Sequence, residues 1–92
     1  MRRKYRSHVG VLLDILETID SEGKVVVSRI IMLANIPYDR LKPYLDKLVN
    51  EGYIRMINEE NKSYYEITEK GYKLLNELRV LKKIFEKLGL IL

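Results

Sequence analysis

The 92-residue chain predicts a mainly helical α+β fold, on three observations. Apolar residues recur at helical spacing in four separate segments. The stretch 53–67 alternates instead and is split by a polar turn. Two of the helical segments are short and meet at a tight Ile36-Pro37 turn. The resulting order is helix, short strand, helix, helix, β-hairpin and long C-terminal helix. This is the layout of a winged helix-turn-helix with a dimeric coiled coil appended.

Each element has its own signal. In residues 7–20, Val9, Leu12, Leu13, Leu16 and Ile19 make one apolar face, which Val11 and Ile15 widen. Ser21-Glu22-Gly23 ends that helix. Residues 24–27 are short and β-branched, enough for one brief strand. Ser28 is placed to cap a second helix, 29–35, with Ile30, Ile31 and Ala34 facing inward. A third helix, 38–51, buries Leu41, Tyr44, Leu45 and Leu48, and Gly52 closes it in a left-handed cap. Pro43 lacks a backbone donor, so this helix either starts late, near Arg40, or kinks.

In the strand 53–58, Ile54 and Met56 point to one side, and Tyr53, Arg55 and Ile57 to the other. The polar run 58–62 turns the chain into a second strand, 63–67. Thr68 caps the last helix, 69–88, with Glu69 in its first turn. The predicted division is a basic arm, 1–8, a winged helix-turn-helix domain, 9–68, and a dimerisation helix, 69–92.

Composition excludes several chemistries. With 47% hydrophobic and 33% charged residues the chain is globular, not disordered. It has no Cys, hence no disulfide, thiol nucleophile or Cys-based zinc site, and a single His, His8. His8 reads as a helix-surface residue, and no nucleophile, phosphate loop or metal motif accompanies it, so no enzyme activity and no cofactor are expected. No apolar run approaches the ~20 residues of a membrane span. The basic start resembles a signal-peptide n-region, but Asp14 and Glu17 break the stretch after it and no small-residue cleavage site follows. The expectation is a soluble, intracellular protein with no membrane partner and no small-molecule ligand.

Lys plus Arg number 17 against 13 Asp plus Glu, a net +4 that permits a nucleic-acid partner. In a winged helix the second helix of the motif enters the major groove. Here its solvent side carries Tyr38, Asp39, Arg40, Lys42, Asp46 and Lys47. Arg40 is the candidate for a base edge, because arginine bonds guanine in bidentate fashion. Tyr38, Lys42 and Lys47 suit phosphates. Arg55 and Lys62 are the cations of the wing, whose tip Glu59 and Glu60 make acidic. The basic cluster Arg2, Arg3, Lys4 and Arg6 suits salt-dependent phosphate attraction. Tyr44, Tyr64 and Tyr65 read as half-buried packing rather than base-stacking platforms.

The last helix carries a heptad seam. Gly71, Leu78, Phe85 and Leu92 share one position, and Leu74, Leu81 and Leu88 the other. Leu75 and Ile84 flank it. So long a stripe on so small a domain predicts a homodimer, with Leu90-Ile91-Leu92 tucked against the partner.

A family resemblance rests on Ser28-Arg29-Ile30, Ala34-Asn35-Ile36, Tyr38, Leu41, Tyr44-Leu45, Leu48, Gly52-Tyr53-Ile54, Tyr65 and Thr68-Glu69-Lys70-Gly71. With these residues, covering about 9–88, the chain resembles the archaeal ArnR-like winged helix-turn-helix family, including its small chromatin-associated DNA-binding proteins of the 10a type. The resemblance implies an archaeal, nucleoid-associated, cytoplasmic protein. It also implies an antiparallel coiled-coil dimer with double-stranded DNA as partner. Arg29, Tyr38, Arg40, Lys42 and Lys47 would then lie on the binding surface. The chain departs from the pattern at Pro37, Leu33 and Pro43.

The charge is unevenly placed. Residues 1–6 hold four cations, 7–69 hold seven cations and eleven anions, and 70–92 hold six and two. From 38 to 51 three cations face three anions. Backbone binding by the arm and the last helix is therefore expected, with base reading left to a few residues such as Arg40. The resulting expectation is a DNA-binding homodimer, acting as a transcriptional regulator or an architectural chromatin protein. The alternative is a winged-helix protein-interaction module.

Overall fold

The computed structural model of the chain describes residues 7–91. Arg2, Arg3, Lys4, Arg6 and Leu92 lie outside these residues. The elements are α1 (His8–Glu22), β1 (Val25–Val26), α2 (Val27–Ala34), α3 (Tyr38–Asn50), β2 (Ile54–Glu59), β3 (Lys62–Ile67) and α4 (Glu69–Lys87). Their order is the predicted one. The three strands form an antiparallel sheet in the order β1-β3-β2, with Val25 opposite Tyr65 and Ile54 opposite Ile67.

The core joins all four helices to the base of the hairpin. Leu13, Ile15, Leu16 and Ile19 of α1 meet Ile30 and Ala34 of α2, Leu41, Leu45 and Leu48 of α3, Ile54 of β2, and Leu75 and Leu78 of α4. The buried face of α1 is turned from the predicted one. Val11 and Ile15 are fully buried, whereas Val9 and Leu12 pack at the edge. α1 lies between α2 and α4, so the residues that widen its stripe are the central ones.

Three further expectations are corrected. α1 begins at His8, capped by the Ser7 hydroxyl, which accepts from the Gly10 N–H at 3.0 Å, so a boundary after residue 8 falls inside the helix. Ser28 is not a cap. Val26, extended because β1 pairs with β3 up to that residue, directly precedes the helix, and Ser28 lies in its first turn. Met56 does not share the burial of Ile54, since it is 48% exposed. Its partner across the hairpin, Tyr65, packs against the core instead.

α3 starts at Tyr38 and runs through Pro43, so the late start does not occur. Its end is a Schellman closure: Gly52, at φ +82°, donates to the Val49 carbonyl at 3.0 Å, and Tyr53 donates to the Leu48 carbonyl at 2.9 Å. This turn aims the chain into β2. The hairpin closes through Glu60 and Asn61, both at positive φ (49° and 66°), as a two-residue loop needs. Thr68 caps α4 as predicted, its hydroxyl accepting from the Gly71 N–H at 3.0 Å. No helix among the described residues is long and apolar enough to cross a membrane.

Candidate nucleic-acid interface

Helical geometry divides the surface of α3 into three strips. With Leu41, Leu45 and Leu48 buried, about 100° per residue puts Asp39, Pro43 and Asn50 at the centre of the outermost crest, edged by Asp46 on one side and Lys47 on the other. Tyr38 and Lys42 fall on the flank beyond Asp46, and Arg40 and Tyr44 on the flank beyond Lys47. No cation stands at the centre of the crest. The first flank turns toward the wing: burial pushes the Tyr65 hydroxyl up from its usual range, and the neighbouring Asp46, Lys42 and Tyr38 also act on it. The second flank turns toward the start of α1. There the His8 Nδ1 lies 2.8 Å from the Tyr44 hydroxyl, and an open groove of about 480 Å³ is lined by His8, Asp39, Arg40, Pro43, Tyr44 and Lys47.

The predicted cations fall into two groups. Lys42 is bonded to both oxygens of Asp46 (3.1 and 3.0 Å), which raises its pKa first through that hydrogen bond and then through the charge. Arg29 reaches Glu22 at 2.9 Å, and Arg55 faces Glu66 across the hairpin at 3.4 Å. Among the described residues, no ion pair engages Arg40, Lys47 or Lys62. Lys62 stands exposed where the wing turns back, while Glu59, opposite it, binds Lys24 at 2.6 Å.

Arg40, the candidate for a base edge, lies on a flank of α3 when the helix is viewed down its axis. A helical wheel anchored on the leucines carries that information. The meeting of His8 with Tyr44, 36 positions apart, has no sequence signal.

α4 uses its seam in two ways. Gly71, Leu75 and Leu78 are buried within the chain, Leu78 being only 8% exposed. Leu74 packs against the same core. Farther along, Leu81 and Phe85 are half-buried, and Val80, Ile84 and Leu88 are exposed, Leu88 by 66%. The helix ends at Gly89, after which Leu90 donates to the Phe85 carbonyl at 2.8 Å. Leu90 and Ile91 then border a groove with Gly10 and Leu13 of α1.

A winged helix-turn-helix family model matches residues 5–86. The chain belongs to the winged helix-turn-helix family. An uncharacterized protein of Methanocaldococcus jannaschii is 36% identical over 83 residues, covering 90% of this chain and 80% of its relative. The crystal structure of Sso10a-2, a DNA-binding protein from Sulfolobus solfataricus, is also 36% identical. It superposes with a TM-score of 0.83 over 91% of this chain and 86% of its own. The resemblance to 10a-type archaeal winged-helix proteins thus holds in sequence and in fold. The oxidized form of MarR from E. coli, 18% identical with a TM-score of 0.71 over 78% of this chain and 53% of its own, shares the fold.

Proposed function

We propose that the protein is a homodimeric, architectural binder of double-stranded DNA that grips the phosphate backbone and reads little sequence. The carrying observation is the placement of cations on both flanks of α3 with none at the centre of its crest. A helix about 10–12 Å across fills a major groove about 12 Å wide. Its crest then faces the bases and its flanks face the two backbones. Asp39, Pro43 and Asn50 offer no cation to a guanine, whereas Arg40 and Lys47 on one side and Lys42 on the other suit phosphates. The DNA-binding name of Sso10a-2 supports DNA as the partner.

The dimer rests on the outer half of α4. Val80, Ile84 and Leu88, with Leu81 and Phe85, form an apolar stripe that none of the described residues covers fully. In this reading residues 9–68 hold the duplex, 69–92 join two copies, and Arg2, Arg3, Lys4 and Arg6 with Lys62 add phosphate contacts. The protein carries out no catalysis.

Titration of two unrelated duplexes at several salt concentrations tests this. Affinities within about tenfold of each other, with a steep salt slope, are expected. No binding near 50 mM salt sinks the DNA reading, and a preference beyond about 10³-fold sinks the architectural one. Exposed Met32 and Leu33 on α2 favour a second reading, a protein-interaction module, which the absence of DNA binding would bring forward.

A further inference from the structure

We propose that His8 is a phosphate-binding residue of the α3 flank, seated by Tyr44 beside Arg40 and Lys47, so that duplex binding takes up a proton at this histidine. The inference rests on the DNA-binding reading above and adds a ligand group that no motif marks.

His8 opens α1, yet its ring leans on α3, with centroids 6.0 Å apart and the Nδ1 held by the Tyr44 hydroxyl at 2.8 Å. This contact brings the first turn of α1 to the flank of Arg40 and Lys47, and the three line one open groove. With Nδ1 engaged, Nε2 is the nitrogen left for a ligand. A phosphate oxygen only accepts hydrogen bonds, so it calls for an Nε2–H. The Tyr44 hydroxyl both donates and accepts, and therefore satisfies Nδ1 whether the imidazole is neutral or charged.

The surroundings favour an anion. The first turn of α1 holds no acidic residue, so its helix dipole adds an uncompensated positive end. The groups facing His8 are Asp39, Arg40, Tyr44, Lys47 and, along the adjoining apolar groove, Glu51. Among the described residues, two carboxylates and two cations cancel in formal charge, so a proton gained at His8 leaves this groove net positive. A phosphate beside the ring favours the imidazolium in return, so binding and protonation reinforce each other.

The experiment is a fluorescence anisotropy titration of a labelled 20-base-pair duplex at constant ionic strength, from pH 5.5 to 8.0. The probe is run against the wild-type chain, His8→Gln and Tyr44→Phe. His8 is the only histidine in the sequence, and side-chain carboxylates titrate mostly below this window. Wild-type affinity is expected to weaken severalfold as pH rises through the window. His8→Gln should flatten that profile and weaken binding most at the acid end of the window. Tyr44→Phe should reduce the pH dependence without abolishing binding. Thermal melts of both variants establish that they fold; His8 is exposed, so Gln is tolerated there. A His8→Gln profile that follows the wild type overturns the inference and leaves the DNA reading intact. Wild-type failure to bind at any pH overturns both.

Discussion

Gly71, in the first turn of α4, lies against the backbone of Tyr53, so closely that a Cβ there would stand 1.9 Å from the Tyr53 carbonyl oxygen. The contact joins the start of the last helix to the loop that ends α3. Around it Thr68 donates through its backbone N–H to that same carbonyl (3.1 Å) and through its hydroxyl to the Gly52 carbonyl (2.6 Å). Lys70 donates to the Glu51 carbonyl at 2.6 Å and stands over the Tyr53 ring at 4.6 Å. One junction thus fixes both the direction of α4 and the end of α3.

Gly71→Ala should therefore be strongly destabilising. The obstacles are backbone atoms of Tyr53 and the Ile67 side chain, at 1.9 to 2.9 Å, which cannot all withdraw. A loss of about 3 kcal/mol or more is expected, or a fall in Tm of at least about 10 °C for a domain of this size. Thermal unfolding followed by circular dichroism checks it; a Tm within two or three degrees of wild type would mean that the helix shifts at no cost.

This junction also marks how far the sequence could be read. Thr68 as a cap and Gly52 as a left-handed closure were legible, because capping chemistry is local. The role of Gly71 was not: a heptad count placed it in the apolar seam, and the close approach of the Tyr53 backbone has no signal in the sequence. A helical repeat reports which face is apolar and not which neighbour covers it. On α3 the division was legible, since the leucines read as buried are those the core takes, and a helical wheel drawn on them places the cations.

The wing turn offers a second test. Glu60 adopts φ 49°, where a side chain is costly and Asn is among the residues that accept it. Glu60→Asn should stabilise the fold by up to about 1 kcal/mol in chemical denaturation. It also removes an anion from the wing tip, so duplex affinity should rise rather than fall. Lower stability would show that the Glu60 side chain has a favourable role that outweighs its backbone cost.

Alkaline pH gives a third. Burial, followed by the Asp46 charge, raises the Tyr65 pKa above its ordinary 10.0, while Lys42 lowers it. A group with a raised folded-state pKa binds its proton more tightly in the folded chain. Its contribution is intact below about pH 10 and is lost as pH climbs through the folded value. Stability should fall above pH 10, and Tyr65→Phe should make that fall shallower. Denaturation midpoints between pH 8 and 11.5 measure the difference.

The two parts of the α4 seam should respond differently to the same substitution. Leu88→Asp puts a carboxylate on the exposed stripe, so the proposed dimer should split into folded monomers, and Leu81→Asp should split it too. Leu78→Asp buries an unpaired charge and should prevent folding. Mass in solution by light scattering, with circular dichroism, separates these results. A wild-type monomer at micromolar concentration removes the dimer.

The flanks of α3 make the sharpest functional prediction. If Arg40 and Lys47 meet phosphates, Arg40→Ala and Lys47→Ala should each lower the magnitude of the salt slope by about 0.9 and weaken unrelated duplexes equally. Lys42→Ala should cost less, because Asp46 already holds its ammonium and DNA must compete for it. Asp46→Ala should for the same reason tighten binding: it frees Lys42 and removes an anion from the edge of the crest that faces the bases. A base-reading arginine behaves otherwise, since its loss penalises one sequence by about 1–3 kcal/mol and spares the rest. Arg40→Ala with a sequence-selective loss would return Arg40 to the base edge and overturn the assignment of the crest.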